Sequence, residues 1–188
     1  MTRYPRFEIR IAGFGGQGVV TIGKVLGTAF SVYGGKNSVN TQSYGPESRG
    51  GACRSEVVVS DGEINYPYVR KADVLIALSQ VALDTYVAEV KPDGILVIDP
   101  EAVKCLPVAG GLRIVKVPMV SLSHEIGDVK YQNTVALGAL YALIGDLIEE
   151  APLLEALRKS VPAKTLDLNL GAFEKGKQYV QTLMSVES

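Results

Sequence analysis

The sequence predicts an α/β fold: a mostly parallel sheet with helices on both faces, an added β-hairpin and a helical C-terminal region. The prediction rests on how apolar residues are spaced. Apolar runs of strand length alternate with segments of helical period, which is the pattern of a sheet covered by crossover helices. Residues 74–78 and 95–98 are uninterrupted apolar runs, as expected of central parallel strands buried on both faces. From residue 120 onward the periodicity is helical throughout.

Taken in order, residues 7–12 read as a buried first strand that ends in glycines. Ile22, Val25, Leu26, Ala29, Phe30 and Tyr33 then share one face of a helix, which Gly34-Gly35 stops. Residues 37–41 read as a second strand, followed by a polar, glycine-rich segment over 42–51. Residues 53–60 alternate as a strand, Asp61-Gly62 signals a hairpin turn, and 64–68 is the expected return strand. Ser79 is placed to cap a helix reaching about residue 90, and Pro92-Asp93-Gly94 reads as a turn. Residues 113–117 are a further strand. An amphipathic helix is expected over 133–150, with Leu137, Leu140, Ile144 and Leu147 in register, and two more over 152–159 and 170–184. Length and pattern predict one domain over residues 1–188.

Composition narrows the function. A net charge of −1 provides no field to attract nucleic acid or an anionic membrane. The two cysteines, Cys53 and Cys105, match no metal-ligand spacing and do not suffice for an iron–sulfur cluster, which takes four ligands. A buried structural thiol is the expected role of Cys53. His124, the one histidine, reads as structural or surface-exposed, because no spacing pairs it with a catalytic partner. No catalytic and no metal-binding residue is predicted. Residues 1–7 lack the apolar core of a secretory leader, and no apolar run approaches membrane-spanning length, so a cytoplasmic chain is expected.

The chemistry concentrates in Gly13-Phe14-Gly15-Gly16-Gln17-Gly18, which follows a strand and opens a helix. Glycines let the backbone turn tightly and approach a ligand. The helix start offers unpaired N–H groups and a positive partial charge to a phosphate. The fold expected around it is therefore Rossmann-like. Gln17 either donates to a ligand oxygen or packs on the first turn, and the whole loop could equally be a sharp turn without a ligand. A Gly-Lys-Ser/Thr phosphate loop is excluded. NAD is disfavoured, since residues 37–43 hold no carboxylate for the ribose hydroxyls.

A second loop follows, Ser43-Tyr44-Gly45-Pro46-Glu47-Ser48-Arg49-Gly50-Gly51. Arg49 suits bidentate phosphate contacts and Ser48 adds a hydroxyl; alternatively Arg49 pairs with Glu47 or Glu56 on an exposed loop. Asp99, at the end of a predicted central strand, is a candidate lining residue. Lys36, Arg54, Arg70 and Lys71 either add positive charge near the site or are solvated surface groups.

Residues 11–19 and 43–51 together resemble the gamma subunit of 2-oxoacid:ferredoxin oxidoreductases, and Tyr66-Pro67-Tyr68-Val69 and residues 72–77 are similar to that family too. The resemblance implies a Rossmann-like domain associated with coenzyme A. In it Gly13, Phe14, Gly15, Gly16, Gln17 and Gly18 face the phosphates, and Ser48 and Arg49 line the second loop. It implies alpha and beta subunits, the latter binding thiamine diphosphate, and a ferredoxin-like delta subunit or domain. Thiamine diphosphate, magnesium and iron–sulfur clusters would reside in those partners only, and ferredoxin would accept the electrons. The form of the second loop looks most like the 2-oxoglutarate branch, with branched-chain oxoacid and pyruvate enzymes as alternatives. Two other readings stay open: a free-standing nucleotide-binding regulatory domain and a small NAD-dependent oxidoreductase.

Overall fold

The computed structural model describes residues 5–44, 51–106 and 110–187. Six strands form one sheet in the order β2-β3-β1-β4-β5-β6. The strands are β1 (Phe7–Phe14), β2 (Asn37–Tyr44), β3 (Ala52–Ser60), β4 (Ala72–Ala77), β5 (Val90–Ile98) and β6 (Arg113–Lys116). The strands β1, β4, β5 and β6 run parallel, while β3 is antiparallel to both β1 and β2. The helices are α1 (Val19–Thr28), α2 (Gln80–Tyr86), α3 (Met119–Ile126), α4 (Gln132–Ile144), α5 (Glu150–Ser160) and α6 (Leu166–Glu187). The expected α/β class, with helices on both faces and a helical C-terminal region, is what forms.

The two faces differ in depth. Odd residues of β1 (Ile9, Ile11) join Val57, Val74, Ile76 and Val97 in a core covered by α1, α4, α5 and α6. The alternate positions of each strand reach a thinner core, where Ala12, Leu75 and Leu96 meet Ala82 and Leu83 of α2. The two-residue period of a strand makes this division. Thr134 to Leu140 of α4 are buried without a break, so this helix is not amphipathic as expected. It lies between the sheet and α6, with Gly138 against the Phe173 carbonyl and Gly176 against the Val135 carbonyl. The helix also stops at Ile144, short of Leu147, which the periodicity had placed in register.

Two further expectations are corrected. Residues 64–68 form no return strand. The Tyr66 and Tyr68 carbonyls instead accept from Arg6, at 2.7 and 2.8 Å. The N–H groups of Arg70 and Lys71 donate to the Glu8 carboxylate, at 2.7 and 3.1 Å. Side chains thus satisfy backbone groups that a ladder would otherwise use. The added hairpin is β2–β3, joined beyond Tyr44 at the other end of the sheet. Pro92-Asp93-Gly94 does not separate two elements either, since these residues are accommodated as a bulge inside β5, where register shifts between Ala72 and Val74.

Candidate ligand crevice at the carboxyl ends of the strands

From β1 the chain leaves through α1 toward β2, and from the adjacent β4 it leaves through α2 toward β5. The two helices lie on opposite faces. Adjacent parallel strands whose connections diverge leave a crevice at their carboxyl ends, where ligands of open α/β sheets sit. Gly13 to Gly18 lie there.

Gln17 holds this turn together. Its Oε1 accepts from the Phe14 N–H at 2.6 Å, and its Nε2 donates to the Leu78 carbonyl at 2.9 Å. The Gln17 N–H donates to the Phe14 carbonyl at 3.1 Å, and the Leu78 N–H to the Ala12 carbonyl at 2.9 Å. Of its two expected roles, Gln17 takes the packing one, and it locks β1 to β4.

The glycines divide by what surrounds them. A side chain at Gly13 would meet Gln17, and one at Gly18 would collide with Asn133. Gly16 has φ +100 and open space where a side chain would lie, so a ligand can approach its backbone. Gly18, at φ 74, starts α1 with no side-chain cap and no acid in the first turn. Among the described residues no side chain takes up the first N–H groups of α1, the kind of donors that receive an anion. By contrast, α2 closes its own start, with the Ser79 hydroxyl accepting from the Ala82 N–H at 3.2 Å.

The second loop enters at the same end. Tyr44 pairs with Cys53, Phe14 pairs with Ala52, and the Gly15 N–H donates to the Gly51 carbonyl at 2.9 Å. Ser48 and Arg49 lie outside the described residues. Beside α1 is a cavity of about 510 Å³ lined by Phe14, Gly15, Gly16, Val20, Tyr44 and Cys53, among others. Among the described residues this lining holds no carboxylate, histidine or lysine. Burial pushes the Cys53 thiol up, so it stays protonated at neutral pH, as suits the structural role expected of it.

The other candidates fall elsewhere. The carboxylate of Asp99 is taken up by backbone, accepting from Glu101 at 2.7 Å and from Val120 at 2.8 Å. It fastens the start of α3 and is not free for a ligand. Lys36 pairs with Asp61, Arg70 stacks on Tyr66 at 4.4 Å, and Lys71 donates to the Ala88 carbonyl. All three lie toward the amino ends of the parallel strands. Arg54 lies over the Tyr86 ring on the opposite face from Cys53. His124 is exposed on α3. The sequence reading missed Asn133, whose contact with Gly18 joins positions over a hundred residues apart. Its only local signal is an amide at the start of an apolar helix.

The crevice presents helix N–H groups and an exposed glycine turn, and among the described residues its cavity lining holds no acid–base pair. The class is an α/β domain with a candidate crevice at the carboxyl ends of its parallel strands. The chain belongs to the pyruvate ferredoxin/flavodoxin oxidoreductase family, matching its pattern over residues 8–179. It is 44% identical over 181 residues to the 2-oxoglutarate synthase subunit KorC of Methanothermobacter thermautotrophicus, covering 93% of this chain and 95% of that one. Its fold is similar to the gamma subunit of a keto/oxoacid ferredoxin oxidoreductase from Geobacter sulfurreducens, with a TM-score of 0.85 and 36% identity, covering 94% and 97% of the two chains. It is also similar, with a TM-score of 0.85 and 27% identity, to part of the 2-oxoglutarate:ferredoxin oxidoreductase of Magnetococcus marinus, whose structure holds 2-oxoglutarate, coenzyme A and succinyl-CoA. That match covers 96% of this chain and 32% of the other. The gamma-subunit type implied by the two glycine loops is thus the type of this chain. The NAD reading loses further ground in the fold. The strand beside β1 is the antiparallel β3, so the adjacent parallel pair that places a ribose-binding carboxylate is not built on this side. Among the described residues no helix is long and apolar enough to cross a membrane.

Proposed function

We propose that this chain, as one gamma-type domain over residues 1–188, binds coenzyme A for a cytoplasmic 2-oxoglutarate:ferredoxin oxidoreductase and has no turnover by itself. The observation that carries the reading is the open start of α1 at the switch point of the sheet, with Gly16 unobstructed beside it. A phosphate of the ligand sits on the glycine loop over the first N–H groups of α1. In this reading Ser48 and Arg49 of the second loop supply charge-assisted contacts to the same phosphates. The apolar cavity beside Tyr44 and Cys53 accepts less polar parts of the ligand. The 2-oxoglutarate assignment is supported by the end-to-end similarity to a 2-oxoglutarate synthase subunit.

The contribution of this chain is positioning: it fixes the coenzyme so that the thiol reaches the reacting acyl group at a low entropic cost. Alpha and beta subunits supply thiamine diphosphate and magnesium, and a ferredoxin-like delta subunit or domain carries iron–sulfur clusters. Ferredoxin is the acceptor of the complex.

The test is Arg49→Ala in the assembled complex. A lost charge-assisted contact weakens binding by roughly 1.5–3 kcal/mol. The KM for coenzyme A should therefore rise at least tenfold. Oxoacid-dependent reduction of the partners' clusters in the absence of coenzyme A should persist. An unchanged coenzyme A requirement would sink the role of Arg49.

A further inference from the structure

Two helices meet at the glycine loop: α1, whose start is not closed by a side chain, and α4, which continues from a single turn over Val129–Tyr131 capped by Asp128. The start of α1 has no side-chain cap and no acid in its first turn, and α4, beyond its capped lead-in turn, likewise has no acid in its first turn. First turns ordinarily attract Asp or Glu, whose charge complements the helix dipole. Here the first turn of α4 carries Gln132, Asn133 and Thr134.

Asn133 is held firmly in this position. Its neighbours Tyr131 and Thr134 are 4% and 3% exposed. The Thr134 hydroxyl donates to the Asn169 Oδ1 on α6 at 2.8 Å. Below, Asp128 accepts from the Lys130 N–H at 3.0 Å and fixes the turn leading into α4. The half-buried Asn133 amide then lies against Gly18, in the space a Cβ would fill. Gly18 is thus required twice, for its positive φ and for the room it leaves to this amide. Asn133 Oδ1 receives one long contact from the Thr134 hydroxyl, at 3.5 Å. Among the described residues its Nδ2 group has no acceptor. An amide donor is therefore fixed beside the backbone donors of α1, and among the described residues no carboxylate stands in the first turn of α1 or in the cavity lining beside it.

We propose that Asn133 is a ligand-binding residue whose side-chain amide donates to the phosphate group seated on the glycine loop. This rests on the coenzyme A reading above. The phosphate is bound from two elements: backbone N–H groups of α1 on one side and the α4 amide on the other. An asparagine at this place provides a donor without a charge. An aspartate of the same shape would present acceptor oxygens and a negative charge to the phosphate.

The experiment uses the assembled complex with coenzyme A as the probe and compares Asn133→Asp with Asn133→Ala. Asn133→Asp keeps the size and packing against Gly18 and should raise the KM for coenzyme A more than tenfold. Asn133→Ala, which removes the donor without adding repulsion, should raise it about fivefold. In both variants the KM for the oxoacid should stay within twofold, and the coenzyme A-induced rise in Tm should shrink. A purely structural role predicts lower stability with an unaltered KM for coenzyme A. If Asn133→Asp fails to assemble, Asn133→Ser, with a hydroxyl too short to reach the phosphate, replaces it and should also weaken coenzyme A binding. A KM within twofold of wild type in Asn133→Ala overturns the proposal, even if Asn133→Asp binds poorly, because repulsion by itself would then explain the latter. Arg49→Ala is measured in parallel. A raised KM there with none at Asn133 defeats this inference only, whereas no effect at either position defeats the coenzyme A reading itself.

Discussion

The two ends of the sheet differ in how fully side chains satisfy their polar groups. At the amino ends of the parallel strands, side chains occupy the backbone. Glu8, 4% exposed, accepts from the N–H groups of Arg70 and Lys71 and pairs with Arg6. Arg6 in turn donates to the Tyr66 and Tyr68 carbonyls. Asp73 takes up the Glu8 N–H at 2.7 Å and Lys91 at 2.6 Å. At the carboxyl ends, roughly 20 Å away along β1, α1 begins with bare N–H groups and an unobstructed glycine. Side-chain networks rigidify the first end, because a buried carboxylate left unpaired costs several kcal/mol. At the second end Gln17, Ser79 and Asp99 take up neighbouring N–H groups, and it is the start of α1 that has no side-chain cap, an arrangement suited to an incoming anion.

Removing Glu8 breaks this contrast most severely. Glu8→Ala leaves two backbone N–H groups and the Arg6 guanidinium without their acceptor, and should cost about 3 kcal/mol. A urea unfolding midpoint would register it. Glu8→Gln, which retains an acceptor oxygen, should cost less. The KM for coenzyme A in the assembled complex should not move, since Glu8 lies at the far end. A change of less than 1 kcal/mol in Glu8→Ala would mean the network is ornamental.

A smaller effect separates two glycines of one loop. Gly18→Ala combines the strain of positive φ with a collision against Asn133 and should destabilise by about 2 kcal/mol. Gly16→Ala meets no neighbour and should cost about 1 kcal/mol, from the positive φ. Coenzyme A binding should nonetheless suffer at Gly16, because the added methyl projects into the open side. Equal losses of stability at the two positions would contradict this division.

The smallest expected effect concerns the helix start that closes itself. Ser79→Ala removes the cap of α2 and should cost about 1 kcal/mol, read from thermal or urea unfolding. Binding of coenzyme A should be unaltered. A coenzyme A defect in Ser79→Ala would extend the site across the crevice to α2.

Much of this was legible before any coordinates. The apolar runs of β4 and β5 and the glycine loop after β1 stand where their local patterns put them, and Ser79 caps its helix as its position suggested. The errors share one cause. Residues 64–68 have strand-like composition, yet Arg6, distant in sequence, takes up the Tyr66 and Tyr68 carbonyls. The Asn133 segment reads as a long amphipathic helix, yet α6 covers the face that amphipathicity would leave to water. Asp99 looks like a site residue at a strand end, yet the N–H groups of Glu101 and Val120 use its carboxylate.

By itself the sequence determined the alternation of strands and helices, the glycine turn and the family. These depend on local periodicity and on backbone angles that few residues besides glycine can adopt. Only the tertiary structure decided that β3 stands between β1 and β2, that Gln17 braces the loop, and that Asn133 lies on Gly18. Strand order and the meeting of distant side chains depend on which surfaces pack together, and no window along the chain encodes that.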